Sequence, residues 1–90
     1  MNISYDSLPA HMRGGIQRYI EEGVPPGDFL TAVLSNDLKE SFARADDKNI
    51  AAMFEWVSFL YNYAPIYCHG SKDKVEKWIE SGGLHGLEEE

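Results

Sequence analysis

The sequence predicts an all-α fold, a compact small bundle of three principal helices plus a short fourth C-terminal helix. Apolar residues recur at three- and four-residue intervals in four successive segments, which is the period of a helix with one buried face. Proline, glycine and capping residues punctuate the gaps between those segments. The joints are short, which favours neighbouring helices that reverse direction.

The first segment runs from about Leu8 to Glu22, with Met12, Ile16, Tyr19 and Ile20 continuing a stripe that starts at Leu8. Ser7 or Asp6 is placed to cap it, and Pro9 is tolerated in a first turn because its missing N–H has no intrahelical partner there. Gly14 and Gly15 are costly in a helix interior, by roughly 1 kcal/mol each relative to alanine, so Gly15 on the apolar side predicts a close helix crossing. Gly23 is the expected C-cap, and Pro25 and Pro26 stop the helix from continuing.

The second segment spans Phe29 to about Ala45 behind an Asp28 cap, with Leu30, Leu34, Leu38 and Phe42 as a four-residue ladder. The third follows an Asp46 cap and is the most hydrophobic. Ile50, Met53, Phe54, Val57, Leu60 and Tyr61 make one broad apolar face on it, while Trp56, Phe59 and Tyr63 add an aromatic strip. Both sides therefore ask for burial, which places this helix at the centre, ending near Ala64 before Pro65. Ser71 caps the short fourth segment, Lys72 to Glu80, whose small apolar face is Val75, Trp78 and Ile79; Gly82 and Gly83 end it. Residues 1–83 read as a single helical domain and 84–90 as a mobile acidic C-terminal tail.

Charge and composition narrow the function classes. Hydrophobic residues at 43% and charged residues at 26% are ordinary for a globular chain. The formal charge is −7, of which Glu88, Glu89 and Glu90 supply three, leaving −4 on the body. Direct nucleic-acid binding, which needs a concentrated positive field, is not expected. The third segment also carries Ile50, Met53, Phe54, Trp56, Val57 and Phe59 where a DNA-reading helix needs solvent-facing polar groups. No membrane partner is expected, since the apolar run Phe54 to Leu60 is far below the ~20 residues of a span. The N-terminus lacks the pattern of a secretory signal. Cys68 is the single cysteine, so the expected compartment is a reducing cytoplasm.

Enzyme chemistry has few candidates. Cys68 followed by His69, with His11 as a distant third group, is the only fragment of a nucleophile and base pair, and adjacency does not aim two side chains at each other. His11, Cys68, His69 and His85 have donor atoms but no metal-ligand spacing, so neither metal nor cofactor is expected and the chain reads as noncatalytic. Glycines before the second and fourth segments, the latter near Lys72 and Lys74, leave a small nucleotide-binding module as an alternative. Asp37, Glu40, Asp46 and Asp47 form a candidate acidic surface that would mimic nucleic acid toward a defence protein.

The leading expectation is a protein-interaction module. The aromatic excess at Trp56, Phe59, Tyr61, Tyr63 and Tyr67, joined by Trp78, exceeds what one core face requires. His11, Arg18, Tyr19 and Asp37 are the polar-rim candidates for such an interface. An unidentified protein partner or a homo-oligomer would occupy it.

The wording LPAHMRGGIQRYIEEGVPPGDFLTAVLSNDL, with RADD and YNYAPIYCHGS further on, resembles a family of small proteins of tailed bacteriophages and prophage regions. The resemblance covers Leu8 to about Trp78 and is most distinctive over Met12 to Gly15, Arg18 to Ile20, Pro25 to Asn36 and Tyr61 to Ser71. It carries no catalytic assignment to these positions. It implies a cytoplasmic accessory protein of an infected or prophage-carrying bacterium that regulates a host protein.

Overall fold

The computed structural model describes residues 3–88, an all-helical bundle; Glu89 and Glu90 of the expected acidic tail lie outside them. The order is α1 (Ala10–Glu22), α2 (Asp28–Leu34), α3 (Leu38–Arg44), α4 (Asp47–Ala51), α5 (Met53–Asn62), a 3-10 turn (Ile66–Cys68), α6 (Lys72–Ser81) and α7 (Gly83–Glu88). The Cα radius of gyration, 12.1 Å, is what size scaling gives for one domain of this length, about 12 Å.

Helix α1 starts two residues later than its apolar stripe suggests. Pro9 sits at φ −53° and ψ 134°, outside the helix, and the residue before a proline is steered away from helical geometry. Leu8 is thereby free to drop into the core, and neither Ser7 nor Asp6 caps the helix through its side chain. Arg13 takes over the job of fixing the incoming chain: its Nε donates to the Leu8 carbonyl at 2.9 Å and its Nη2 to the Asp6 carbonyl at 2.8 Å. Ile16, Tyr19 and Ile20 form the buried face, and Gly23 ends the helix at φ 69° with its N–H on the Tyr19 carbonyl.

The predicted second helix is two helices. Asn36 adopts φ 63°, a left-handed conformation that asparagine tolerates and that a continuing helix cannot contain. Asp37 then begins α3, its Oδ1 accepting the Glu40 N–H at 3.2 Å. The break redirects the ladder: Leu30 and Leu34 are buried, whereas Leu38 and Phe42 face solvent. Asp28 lies in the first turn of α2 and Gly27 is its N-cap.

The predicted third helix is also divided. Asp46 caps α4 as expected, accepting the Asn49 N–H at 2.8 Å, and a turn at Ala52 hands over to α5. Helix α5 ends at Asn62, short of Ala64. The broad face assigned from the pattern is split: Leu60 is buried and Met53 packs on the core, but its other members do neither. Trp56, Phe59 and Leu60 enter the core, and Ile50, Phe54, Val57 and Tyr61 stay outside.

Helix α6 has its expected Ser71 cap, with the Ser71 Oγ accepting the Lys74 N–H at 3.1 Å, and it buries Val75 and Trp78. The chain then turns through Gly82 and Gly83, at φ 80° and 68°, into α7. Residues 84–88, assigned to a mobile tail from the sequence, are helical here and lie against α1, with Leu84 packed on the core. The close backbone approach anticipated at Gly15 occurs at this joint instead. A Cβ on Gly83 would lie 2.6 Å from the Gly23 nitrogen, whereas one on Gly15 would meet only Leu30 Cδ1 at an ordinary 3.8 Å.

Candidate functional site

Two polar threads fix the core around which the candidate surfaces are arranged. The Trp78 Nε1–H donates to the Tyr19 carbonyl at 3.0 Å, and the Tyr19 hydroxyl donates to the Cys68 carbonyl at 2.6 Å. These bonds tie α6 to α1 and α1 to the 3-10 turn. The Trp56 Nε1–H donates to Asn49 Oδ1 at 3.1 Å, which ties α5 to α4. Phe29 meets Trp56 edge-on, with ring centroids 5.7 Å apart. Aromatic residues with a polar handle are thus held on both counts, by apolar contact and by a satisfied donor.

The predicted interaction strip divides accordingly. Trp56, Phe59, Trp78 and Tyr19 are core residues, with Trp56 and Tyr19 0% exposed, so they have no surface to offer a partner. Tyr63 and Tyr67 are exposed, Tyr63 leaning on Phe59 at 6.3 Å between centroids. Of the expected rim, His11 pairs with Asp46, Nε2 to Oδ2 at 2.9 Å, and Arg18 lies exposed on α1. Neither borders the apolar groove described next; Asp37 does.

That groove lies between α3 and α5. Its volume is about 230 Å³, and Val33, Leu38, Met53, Val57, Leu60 and Tyr61 supply most of its apolar wall, with Asp37 and His69 at its polar margin. Along the outer side of α4 and α5 the apolar stripe continues as Ile50, Phe54, Val57 and Tyr61, and Phe42 stands one turn beyond Leu38 on α3. Phe54 is 78% exposed, Tyr61 87% and Leu38 69%. Singly exposed hydrophobics are ordinary, but here Leu38, Val57 and Tyr61 line one groove, and Phe42, Ile50 and Phe54 lie within one turn of them or of each other along α3, α4 and α5. The sequence pattern places all six on apolar helix faces that ask for burial, and names Tyr61 alone among them as part of the aromatic excess. The available signal was that one helix carried two apolar stripes, of which a single-layer core can bury only one.

The catalytic candidates do not assemble. Cys68 is 0% exposed, and burial pushes its thiol up to about 12, the opposite of what a nucleophilic cysteine needs. His69 is half-buried at the groove margin, and desolvation, helped by Lys74, lowers its pKa. His11 is engaged with Asp46 on another part of the surface. Among the described residues no group of three or more His, Cys, Asp or Glu side chains is placed to hold a metal ion.

Anion-binding and mimicry candidates have local partners. The Gly70 N–H donates to the Leu34 carbonyl at 2.7 Å, and the Lys74 N–H is taken by Ser71. Asp37 and Asp46 serve as helix caps, and Glu40 pairs with Arg44 Nε at 3.2 Å. The Asp46 carboxyl is held below its usual range, first by the Asn49 amide and then by His11. Asp47 is exposed in the first turn of α4. Three of the four acids are thus engaged as caps or in a pair, and Asp47 stands exposed.

No helix of the described chain is long and apolar enough to cross a membrane. No family model matches this sequence, and no curated protein or solved structure matches it either.

Proposed function

We propose that this chain is a noncatalytic protein-interaction module that docks through the α3–α5 face. The observation that carries this reading is the uncharged stripe Ile50, Phe54, Val57 and Tyr61 standing beside an apolar groove. Bringing a Phe or Val side chain fully out of water contributes about 1.5–3 kcal/mol. Association itself costs several kcal/mol in lost freedom, so a partner that covers Phe54 and Val57 together gains enough to matter, and one that covers either alone does not. The groove supplies shape, and its polar margin at Asp37 and His69 supplies orientation.

The phage-like residue patterns support a more specific role, a phage-encoded regulator of a host protein acting in the bacterial cytoplasm. The test uses the full chain and its Phe54→Glu variant as matched baits in lysate of a bacterial host, both checked for equal helical content by circular dichroism. Proteins retained by the native chain and lost by the variant support docking through this face. Identical captured sets on two equally folded baits remove it.

A further inference from the structure

We infer that the α3–α5 face is occupied by a second copy of the same chain, paired about a two-fold axis with α5 of each protomer against α5 of the other. This rests on the interaction reading above and names its partner. Four observations converge on it.

The exposed stripe has the spacing of a helix-pairing seam. On α5, Phe54, Val57 and Tyr61 are separated by three and four residues, the alternation that keeps one face of a helix against a neighbouring helix, and Ile50 extends the exposed stripe onto α4 across the turn at Ala52. Met53, Trp56 and Leu60, three and four apart, line the inner side of the same helix. Helix α5 thus carries two seams, one filled from within the protomer and one open.

Two-fold pairing sets a surface against itself, so a charge near the axis meets its own copy. The open seam carries no charged residue, and within α5 the single charged residue is Glu55. The charge of the whole chain favours the same face. Residues 37–62, which hold α3 to α5, have five acids and three bases, a net −2, and the remaining residues carry −5. Two chains of net −7 approach one another at least cost here.

The area also fits. The exposed parts of Leu38, Phe42, Ile50, Phe54, Val57 and Tyr61 together amount to on the order of 800 Å², which is what each partner contributes to a standard-size stable interface. Knob and hole are present on the one protomer as well. Phe54 and Tyr61 project along the seam beside the groove walled by Leu38, Met53 and Val57, so each copy can supply the aromatic side chain that the other copy's groove receives.

Sedimentation equilibrium on the full chain tests this. The expected native mass is twice the 10.2 kDa of one chain. Phe54→Glu and, separately, Val57→Lys shift the protein to the monomer mass with helical circular dichroism unchanged, whereas Tyr67→Glu, which alters an exposed tyrosine outside the seam, leaves the dimer intact. A native chain that stays at the monomer mass from micromolar to millimolar concentration overturns the pairing, as does a dimer that survives both seam substitutions. The interaction reading fails separately: a monomeric native chain whose captured host proteins are lost on Phe54→Glu sinks the second copy and keeps the docking face.

Discussion

Asn49 accepts the indole N–H of Trp56 across 3.1 Å inside the core, a side-chain pair seven residues apart that bridges the turn between α4 and α5. Asn49 is one of the few buried polar residues of the described chain, and its backbone N–H is held in turn by the Asp46 cap. The relationship explains why α5 rotates as it does. An indole in the core needs an acceptor, and the turn at Ala52 brings Asn49 to the same side as Trp56. With Trp56 inward, Phe54 and Val57 must point outward.

Asn49→Ala therefore leaves the buried indole donor unsatisfied and is expected to lower stability by about 1–3 kcal/mol in urea unfolding, with an unchanged m value. Asn49→Leu separates the lost bond from the lost volume. If the cost is the orphaned N–H, leucine gives no rescue; a full rescue by leucine would assign the cost to packing. Adding Trp56→Phe to Asn49→Leu removes donor and acceptor together and should cost less than the two single effects summed.

The same pair marks where the sequence is legible and where it is not. The helical class, the caps at Asp46 and Ser71, the stop at Gly23 and the burial of Val75 and Trp78 all follow from local chemistry, and they stand in the structure as read. Periodicity failed where two local signals competed. The ladder Leu30, Leu34, Leu38 and Phe42 argued for one helix, but Ser35, Asn36 and Asp37 are three successive residues that favour caps and turns over helix interiors, and they prevailed. In α5 the two apolar stripes were equivalent on hydrophobicity alone. Only the tertiary partners of Trp56, namely Asn49 and Phe29, decide which stripe turns inward. Of the open stripe and its groove the sequence therefore marks only Tyr61 and Asp37 as interface candidates, because Leu38, Ile50, Phe54 and Val57 are the expected core. Trp56 and Phe59, the expected interface, occupy that core instead.

The α1–α7 joint makes a contrast between two glycines. Gly83 has φ 68°, and a Cβ there would sit 2.6 Å from the Gly23 nitrogen and 2.7 Å from the Ile20 carbonyl oxygen, both backbone atoms that cannot step aside. Gly83→Ala combines a left-handed alanine, worth about 1–2 kcal/mol, with that clash, so a loss of more than ~2 kcal/mol and early proteolysis of the C-terminal helix are expected. Gly15→Ala puts its Cβ at van der Waals distance from Leu30 in a helix interior, and a gain of up to ~1 kcal/mol is expected. Thermal unfolding of the two variants should move in opposite directions. A neutral Gly83→Ala would mean that α7 does not pack on Gly23.

Cys68, Tyr5 and Tyr19 all hold their protons above the ordinary range because burial disfavours their charged forms, so the fold is expected to weaken at alkaline pH. Burial pushes the Cys68 thiol from an ordinary 9.0 up to about 12, and it pushes the Tyr5 hydroxyl from 10.0 up to about 12 with help from the charge of Glu21. In the unfolded chain both groups release their protons at the ordinary values, while the native chain retains them, so between pH 9 and 12 the native state binds more protons and stability falls as pH rises. The contribution is fully present below pH 9 and is lost by about pH 12. Urea midpoints are expected to hold steady up to pH 9 and decline above it, and Cys68→Ala should flatten the first part of that decline. Thiol labelling at neutral pH gives the companion measurement. Modification of native Cys68 should proceed at the rate of global unfolding and accelerate in parallel with it in urea, whereas labelling faster than unfolding would place the thiol at the surface and remove the burial on which its share of the alkaline loss depends.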